Sequence, residues 1–184
     1  MRIISGKHRG AKLFSPADNR VRPTSDRVKE SVFNILCGRV ALDSANVLDL
    51  FAGSGALGLE TYSRGAAKVV FVDNDKDSVA LLKRNIAKLG MPEVRREIIF
   101  SGYDAALERL SGRRFDVIFI DPPYASDYAS HALSIIGKND MLADGGIIVA
   151  EHDSGKSLEN EAFLCDCRKM GNTSVSFMTR RTKQ

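Results

Sequence analysis

The stretch that decides the fold is "VLDLFAGSGALGLE", residues 47–60. It opens with an apolar run, interrupted by one acid, that is typical of a buried strand. Gly53, Gly55 and Gly58 follow in a G-x-G-x-x-G spacing, and a helix is predicted to begin near Ala56. Glycines at this spacing permit a tight turn and let a ligand approach backbone amides at the amino end of the helix. The pattern suits a dinucleotide pyrophosphate or another adenosine-bearing cofactor.

From this stretch onward, short apolar runs alternate with segments of helical spacing. The runs are residues 47–51, 69–73, 98–100, 115–120 and 146–151, and the helical segments include residues 78–89 and 105–110. This β-α-β alternation predicts a parallel sheet with helices on both faces. The last part, "FLCDCRKMGNTSVSFMTRR", predicts two strands joined around Gly171 and Asn172, which is an antiparallel hairpin at the edge of the sheet.

The region before the glycine stretch predicts a helix and a short hairpin. "SDRVKESVFNILCGR", residues 25–39, offers Ser25 as a helix N-cap and has an apolar face. Ahead of it, "MRIISG" and "AKLFSP" are strand-like pieces joined by the basic turn "KHRG". We therefore divide the chain into an amino-terminal arm, residues 1–40, and a main domain, residues 41–184, that together form one compact unit.

Composition is typical of one folded domain. The chain has 184 residues, of which 43% are hydrophobic and 27% charged, so it can bury one ordinary core. It contains no run of about 20 apolar residues and no apolar secretory core, which predicts a soluble, cytoplasmic protein. With three Cys and three His residues in unsuitable spacing, no metal site is expected, and the thiols are expected to pack as small hydrophobes.

Positive charge is concentrated at the amino terminus. Nine Lys and Arg against three Asp and Glu give the first 39 residues a net charge of +6, while the whole chain carries +4. A basic segment of this kind suits the neutralisation of nucleic-acid phosphates, although a merely solvated cationic face is the alternative. We predict that the segment from Met1 to Arg22 binds RNA phosphates rather than joining the sheet, with Lys7, Arg9 and Lys12 as contacts.

Two acids near the glycine loop distinguish between cofactors. Asp73 lies twenty residues beyond Gly53 at the end of the second strand, where its carboxylate can accept hydrogen bonds from ribose hydroxyls. Asp49 lies inside an apolar strand, where a carboxylate is costly without a partner. A pyrophosphate would be repelled by Asp49, whereas a cofactor that carries an ammonium and a sulfonium would not. S-adenosylmethionine is such a cofactor.

Asp104 is a third candidate cofactor residue. It follows the third strand, at the carboxyl edge where ligands of open α/β sheets bind. There its carboxylate can accept a hydrogen bond from the adenine amino group. An N-cap of the helix that begins at Ala105 is an equally good interpretation, and it does not exclude the first.

"IDPPYA", residues 120–125, predicts a site for a base that carries an amino group. An exocyclic amine is a poor nucleophile because its lone pair is delocalised into the ring. The Asp121 carboxylate and the carbonyl of Pro122, with Pro123 fixing the backbone, can accept its two hydrogens, and Tyr124 can stack on the ring. Each residue alone has a structural explanation, but the four together at the carboxyl edge favour the catalytic one.

These motifs resemble the bacterial 16S rRNA (guanine(966)-N(2))-methyltransferase family nearly from end to end. The likeness includes "MRIISGKHRGAKL", "VRPTSDRVKESVFNIL", "VVFVDND", "FIDPPY" and "CRKMGNTSVSFMTRR". It implies a Rossmann-like class I methyltransferase with a seven-stranded sheet. It also implies that S-adenosylmethionine is bound by Asp49, Phe51, Gly53, Gly55, Asp73, Asn74 and Asp104. Many relatives carry Glu where Asp73 stands, and the loop with Tyr128 and His131 has no clear counterpart.

By this resemblance the protein transfers a methyl group to the N2 amine of a guanine in 16S rRNA of the small ribosomal subunit. Asp121 to Tyr124 hold the guanine. Arg22 and Thr24 reach the mouth of the site, unless they only form the turn into the first helix. We expect a monomer without metal. A DNA adenine-N6 methyltransferase, a nicotinamide-dependent oxidoreductase and a non-enzymatic RNA-binding protein on this scaffold are the alternatives.

Overall fold

The computed structural model describes residues 1–15, 26–123, 127–153, 158–171 and 173–181. The helices are α1 Asp26–Cys37, α2 Ala56–Ser63, α3 Lys76–Leu89, α4 Tyr103–Arg109 and α5 Tyr128–Lys138. The strands are β1 Asn46–Asp49, β2 Lys68–Asp73, β3 Arg96–Phe100, β4 Phe115–Ile120, β5 Leu142–Asp153, β6 Phe163–Met170 and β7 Thr173–Arg180.

The strands form one seven-stranded sheet in the order β3-β2-β1-β4-β5-β7-β6. The first five strands pair in parallel, and β7 pairs antiparallel with both β5 and β6. The predicted parallel sheet with an antiparallel carboxyl-terminal hairpin is confirmed. Because the strand order reverses between β1 and β4, ligands are expected in the crevice at the carboxyl ends of these strands.

Helices cover both faces of the sheet and enclose two apolar clusters. On one face α1, α2 and α3 pack on side chains such as Val47, Phe71 and Phe119. On the other face α4 and α5 pack on side chains such as Leu48 and Ile118. The side chains of each inner strand alternate between the two clusters, which is why these strands read as nearly continuous apolar runs.

The amino-terminal segment, residues 1–15, is docked on the helices instead of extending the sheet. Its two halves meet at one antiparallel bridge between Arg2 and Lys12, and we call it the hairpin. Ile3 and Leu13 are buried in the cluster that also holds α1, α2 and α3. At Gly6, whose φ is +82°, an added Cβ would lie 1.9 Å from the Ser63 carbonyl oxygen, so only glycine fits there.

A buried ion pair anchors this hairpin. Glu60 on α2 is fully buried; its carboxylate accepts hydrogen bonds from the backbone N–H groups of Ile4 at 2.8 Å and Ser5 at 3.0 Å. It also pairs with Lys29 at 3.4 Å and Arg64 at 2.9 Å. Lys29, which counts toward the basic arm in the sequence, is fully buried as well. It therefore holds the hairpin in place and is not available to RNA.

Three sequence-based expectations are wrong. Tyr128 and His131 lie in helix α5 rather than in a loop. Cys37, Cys165 and Cys167 are exposed rather than packed in the core. Asp104 is not an N-cap, because α4 begins at Tyr103, two residues before the predicted Ala105, and its N-cap is Gly102. The expected N-cap Ser25 and the hairpin residue Asn172 lie outside the described residues.

Within the described ranges, no helix has both the length and the apolar character needed to cross a membrane. In the same part of the chain, no group of at least three His, Cys, Asp or Glu side chains is arranged to hold a metal ion.

Candidate active site

The carboxyl ends of β2, β1 and β4 bring the sequence-predicted acids to one edge of the sheet. One row of the sheet crosses these strands, with Asp49 in register with Phe71 on one side and Phe119 on the other. Two residues further along each chain, at the edge itself, lie Phe51, Asp73 and Asp121. The strand register therefore places these candidate residues side by side, with Asp49 one layer below them.

Asp49 is a buried carboxylate with one hydrogen-bond partner among the described residues. It is 2% exposed, and its Oδ2 accepts a hydrogen bond of 2.9 Å from the backbone N–H of Gly58 on α2. Burial raises the pKa of this carboxyl from its ordinary 3.8 to about 7; the Gly58 hydrogen bond lowers it, and the nearby charge of Asp73 raises it. A buried anion with one hydrogen bond is a favourable site for a cationic group.

Asp73 joins the loops that follow β1 and β2. Its Oδ2 accepts from the N–H of Gly53 at 2.7 Å, and its Oδ1 accepts from the N–H of Asp75 at 2.8 Å. The Gly53 amide is thus already bound to a carboxylate, so it does not serve a pyrophosphate. Asn74, the next residue, is exposed at the same edge. This arrangement disfavours the nicotinamide-dependent alternative.

Two positions of the glycine motif are dictated by close packing. Gly55, the N-cap of α2, has a φ of +82°, and a Cβ there would lie 2.4 Å from Leu82 Cδ1. A Cβ at Gly58 would lie 2.4 Å from the Phe71 ring and 3.0 Å from Asp49 Oδ2. Gly58, the third glycine of the motif, therefore lets α2 approach the sheet closely enough for the Gly58 amide to reach Asp49.

Asp104 is exposed in the first turn of α4, where its Oδ1 accepts from the N–H of Ala105 at 2.9 Å. Asp121 and Pro122 are half-buried directly after β4, and Pro123 is exposed. Tyr124 lies outside the described residues. The structure thus brings Asp121 to the same edge as Asp73.

An aromatic cluster beside these acids was missed by the sequence analysis. The rings of Phe51 and Tyr128 are parallel within 2° at 6.4 Å, and Tyr103 contacts both, at 5.3 Å and 5.1 Å respectively. Tyr103 Oη lies 2.8 Å from His131 Nδ1. The signal was present, since Ala129, Ala132, Leu133 and Ile136 have helical spacing, and a helix there places Tyr128 and His131 on adjacent turns.

The candidate RNA contacts lie on the hairpin. Lys7, Arg9 and Lys12 are exposed, and within the described residues no ion pair neutralises them. The backbone of the basic turn is fixed, because Lys7 N–H donates to the Ser63 carbonyl at 2.7 Å and His8 N–H donates to Ser63 Oγ at 2.9 Å. Arg22 and Thr24 lie outside the described residues, so their roles remain predictions.

The strand order, together with the acids and glycines at the carboxyl edge of the sheet, defines a Rossmann-like methyltransferase fold. The chain belongs to the family described as "Conserved hypothetical protein 95", whose model matches residues 1–179. The resemblance found in the sequence and the predicted fold class are both confirmed by the relatives.

Two curated relatives carry names that state a substrate. "Putative rRNA methyltransferase YlbH" of Bacillus subtilis is 41% identical over 187 residues, which is 98% of this chain and 100% of that protein. "Ribosomal RNA small subunit methyltransferase D" of Haemophilus influenzae is 38% identical over 159 residues, 86% of this chain and 81% of that protein. Among solved structures, "Putative methyltransferase yhhF" from Escherichia coli matches with a TM-score of 0.85 at 30% identity, covering 100% of this chain and 99% of that one.

Proposed function

We propose that this protein transfers a methyl group from S-adenosylmethionine to the exocyclic N2 amine of a guanine in 16S rRNA of the small ribosomal subunit. The observation that carries the proposal is the buried Asp49, which has one hydrogen-bond partner among the described residues and lies beneath an edge that also presents Asp73 and Asp121. The names of the relatives support a small-subunit rRNA substrate. A ribosomal substrate also fits the expected cytoplasmic location.

The residues at this edge fit S-adenosylmethionine. Asp49 offers a buried negative charge to an ammonium, and Asp73 retains free lone pairs on its two oxygens for ribose hydroxyls. Asn74 follows β2, and Asp104 lies in the first turn of α4; both are exposed, where an adenine would meet them. When bound, the cofactor supplies an electrophilic methyl group. Neither Asp49 nor Asp73 would tolerate a phosphate at the same place.

The D-P-P-Y residues orient the base. The Asp121 carboxylate and the Pro122 carbonyl accept the two hydrogens of the guanine amine, and Tyr124 stacks on the ring. Holding the amine in one orientation contributes more than proton removal before attack, because the amine becomes acidic only after methylation. The Asp121 carboxylate then stabilises the positive charge that develops on the nitrogen.

The hairpin supplies phosphate contacts. Lys7, Arg9 and Lys12 are carried by a backbone that the buried Glu60 and Ser63 fix in place, so their charges are presented without the cost of ordering a flexible arm. Replacing all three by Ala should make the salt dependence of RNA binding shallower by about 2 to 3 in logarithmic slope if each contacts one phosphate. Cofactor affinity should not change.

The test is transfer of a labelled methyl group. Small subunits that lack the modification, naked 16S rRNA and DNA of the same sequence are incubated with the protein and methyl-labelled S-adenosylmethionine. We expect label in one guanine of the RNA, recovered as N2-methylguanine after hydrolysis, and none in DNA. Label in adenine of DNA would instead establish the DNA methyltransferase. Tight RNA binding without any transfer would establish the non-enzymatic alternative.

A further inference from the structure

Phe14, an exposed phenylalanine near the end of the hairpin, has two positively charged side chains over its ring. Phe14 is 37% exposed, with Arg84 Cζ 4.3 Å and Lys88 Nζ 4.5 Å from its ring centroid. Both cations come from α3, one turn apart. An aromatic ring left partly in water, and flanked by two like charges, lies on the surface next to Lys12.

The position of Phe14 is fixed by a buried amide. Asn85 on α3 is fully buried; its Oδ1 accepts from Phe14 N–H at 2.7 Å, and its Nδ2 donates to the Phe14 carbonyl at 3.0 Å. The same Nδ2 donates to the carbonyl of Ser54 in the glycine loop at 2.9 Å. The ring is therefore held against α3 by its own backbone, so the exposed surface is preorganised.

Every other arginine that stacks on a ring in the described part of the chain has its donors engaged. Arg39, Arg64 and Arg113 pair with Asp166, Glu60 and Glu97, respectively. Arg95 donates to the carbonyls of residues 65–67. Arg84 and Lys88 have no such acidic or carbonyl partner among the described residues. Stacking uses the face of a guanidinium, while its hydrogen bonds form in the plane, so the Arg84 donors are available to an anion.

The helix dipole does not account for this arrangement. A cation in the last turn of a helix is favourable, and Lys88 lies in the last turn of α3. Like charges four residues apart on a helix nevertheless repel, at about 0.2 to 0.5 kcal/mol. Arg84 and Lys88 are such a pair, and both lie over the Phe14 ring. Lys83 adds a third exposed cation to the same half of the helix. An anionic partner removes this repulsion.

We propose that Phe14, Arg84 and Lys88 form a second phosphate-binding surface for the RNA, which continues the basic hairpin onto helix α3. Lys12 lies two residues before Phe14 in the chain, so one RNA backbone can contact both parts. The inference rests on the proposed RNA substrate and adds a docking surface for it. The partner is an RNA backbone because, among the described residues, the surface presents cations and one fixed ring, and contacts of cations with phosphates position an RNA without reading its bases.

The test compares two charge-neutralised double variants. Arg84→Gln/Lys88→Gln removes the surface, and Arg109→Gln/Lys138→Gln is the matched control. The control cations are likewise exposed on helices, but they lie in the last turns of α4 and α5, across the sheet. Binding of unmodified small subunits, and of naked 16S rRNA, is measured from 50 to 200 mM salt. The urea midpoint of each variant is measured to verify folding.

We expect the first double variant to have a logarithmic salt slope shallower by about 1.4 to 1.8, as two lost phosphate contacts require. The affinity change across this salt range should then be smaller by about tenfold than in wild type, while the control and the charge-retaining variant Arg84→Lys/Lys88→Arg match wild type. Equal slopes in the two double variants would overturn this inference. Failure of the wild type to bind or methylate rRNA would instead overturn the proposed function.

Discussion

Asp49, at the end of β1, and Glu60, on α2, are both buried acids. They differ in how many hydrogen bonds and ion pairs the protein supplies to the carboxylate. Glu60, at the hairpin anchor, meets two cations and two backbone N–H groups. Within the described residues, Asp49 at the candidate active site has one hydrogen bond, from Gly58, and no cation partner. Their burial is nearly equal, so burial alone does not distinguish their roles.

The difference lies in what each acid still needs. The protein itself supplies the charge that Glu60 requires, and the result is a rigid joint between hairpin and helices. Asp49 has no such counter-charge among the described residues, and burial raises its pKa to about 7. A bound cationic ligand would lower this pKa again. A fully satisfied buried acid indicates architecture, and a partly satisfied one at a sheet edge indicates a binding site.

The largest effect is expected at the anchor. Glu60→Gln leaves Lys29 buried without its counter-charge and should lower the free energy of unfolding by about 3 to 5 kcal/mol, measured by urea denaturation. The matched control is Glu97→Gln, which also loses two cation partners, Lys68 and Arg113, but at a partly exposed site. The control should cost about 1 kcal/mol or less. Equal losses in the two variants would show that Glu60 is not the anchor.

Removing the charge of Asp49 is expected to raise the free energy of unfolding, whereas removing that of Glu60 lowers it. The folded-state pKa of about 7 exceeds the ordinary 3.8, so the folded protein binds more protons than the unfolded chain between these values. Stability of the unliganded wild type should therefore fall as the pH rises through this window and stay low above it. Asp49→Asn lacks this charge and should be more stable than wild type at pH 8, by about 2 to 4 kcal/mol.

The same variant should lose the cofactor. Below about pH 7 the wild-type carboxyl becomes protonated, so its affinity for S-adenosylmethionine should fall with decreasing pH, approaching tenfold per unit. Isothermal titration at pH 6 and pH 8 measures this slope. Asp49→Asn should bind weakly and without it. A stabilised variant with unchanged cofactor affinity would contradict the role of Asp49.

The fold was largely predictable because the inner strands are apolar on both faces. Strand β4 has the predicted bounds, Phe115–Ile120. Strand β5 begins at Leu142, four residues before the prediction, since its first residues include the polar and glycine positions 144–146, next to a shift in register. The sequence prediction places a loop after D-P-P-Y, where the structure has helix α5, although the helical spacing is present in the sequence.

The site was predictable only in part. Asp49 and Asp73 stand out in the sequence because each is an acid in an apolar strand near a glycine motif, Asp49 inside its strand and Asp73 at the end of its strand. Glu60 and Lys29 give no such signal. They are 31 residues apart in the chain, and the other hydrogen-bond partners of Glu60 are backbone N–H groups of the hairpin. Counting Lys29 with the basic arm overstated the charge available to RNA. The Phe14 surface depends on Asn85, seventy-one residues away, and this contact exists only in the folded chain.

Asp73 and Asp121, the two acids at the edge of the sheet, are expected to have smaller and different effects on cofactor binding and methyl transfer. Asp73→Ala should weaken cofactor binding by about 1.5 to 3 kcal/mol, because hydrogen bonds to a charged acceptor are lost, and excess cofactor should partly restore turnover. Asp121→Ala should bind cofactor nearly as wild type does, yet transfer slowly at saturation, because the amine is no longer oriented. Isothermal titration and single-turnover methylation test both. A wild-type rate for Asp121→Ala at saturating RNA and cofactor would contradict the assignment.

His8 provides the most demanding case, because it is a partly unsatisfied group within the hairpin rather than at the site. Its Nε2 is buried without a hydrogen-bond partner among the described residues, and its ring stacks on Tyr62 at 5.4 Å. Burial, with a contribution from Lys7, lowers the pKa of His8 below its ordinary 6.5. If incomplete satisfaction always marked a ligand site, replacing His8 would impair binding.

We expect instead that His8→Phe keeps the stack and removes the unsatisfied nitrogen, changing the free energy of unfolding by about 1 kcal/mol or less at pH 8. Because the folded-state pKa is lowered, the unfolded wild-type chain binds more protons below pH 6.5, so wild-type stability should fall with decreasing pH there. His8→Phe lacks this loss, and its advantage should grow from pH 7 to pH 5.5 in urea denaturation. If His8→Phe binds RNA as wild type does, an incompletely satisfied buried group indicates a ligand site only when it is charged and lies at the sheet edge. A loss of RNA affinity without a loss of stability would instead make His8 an RNA contact.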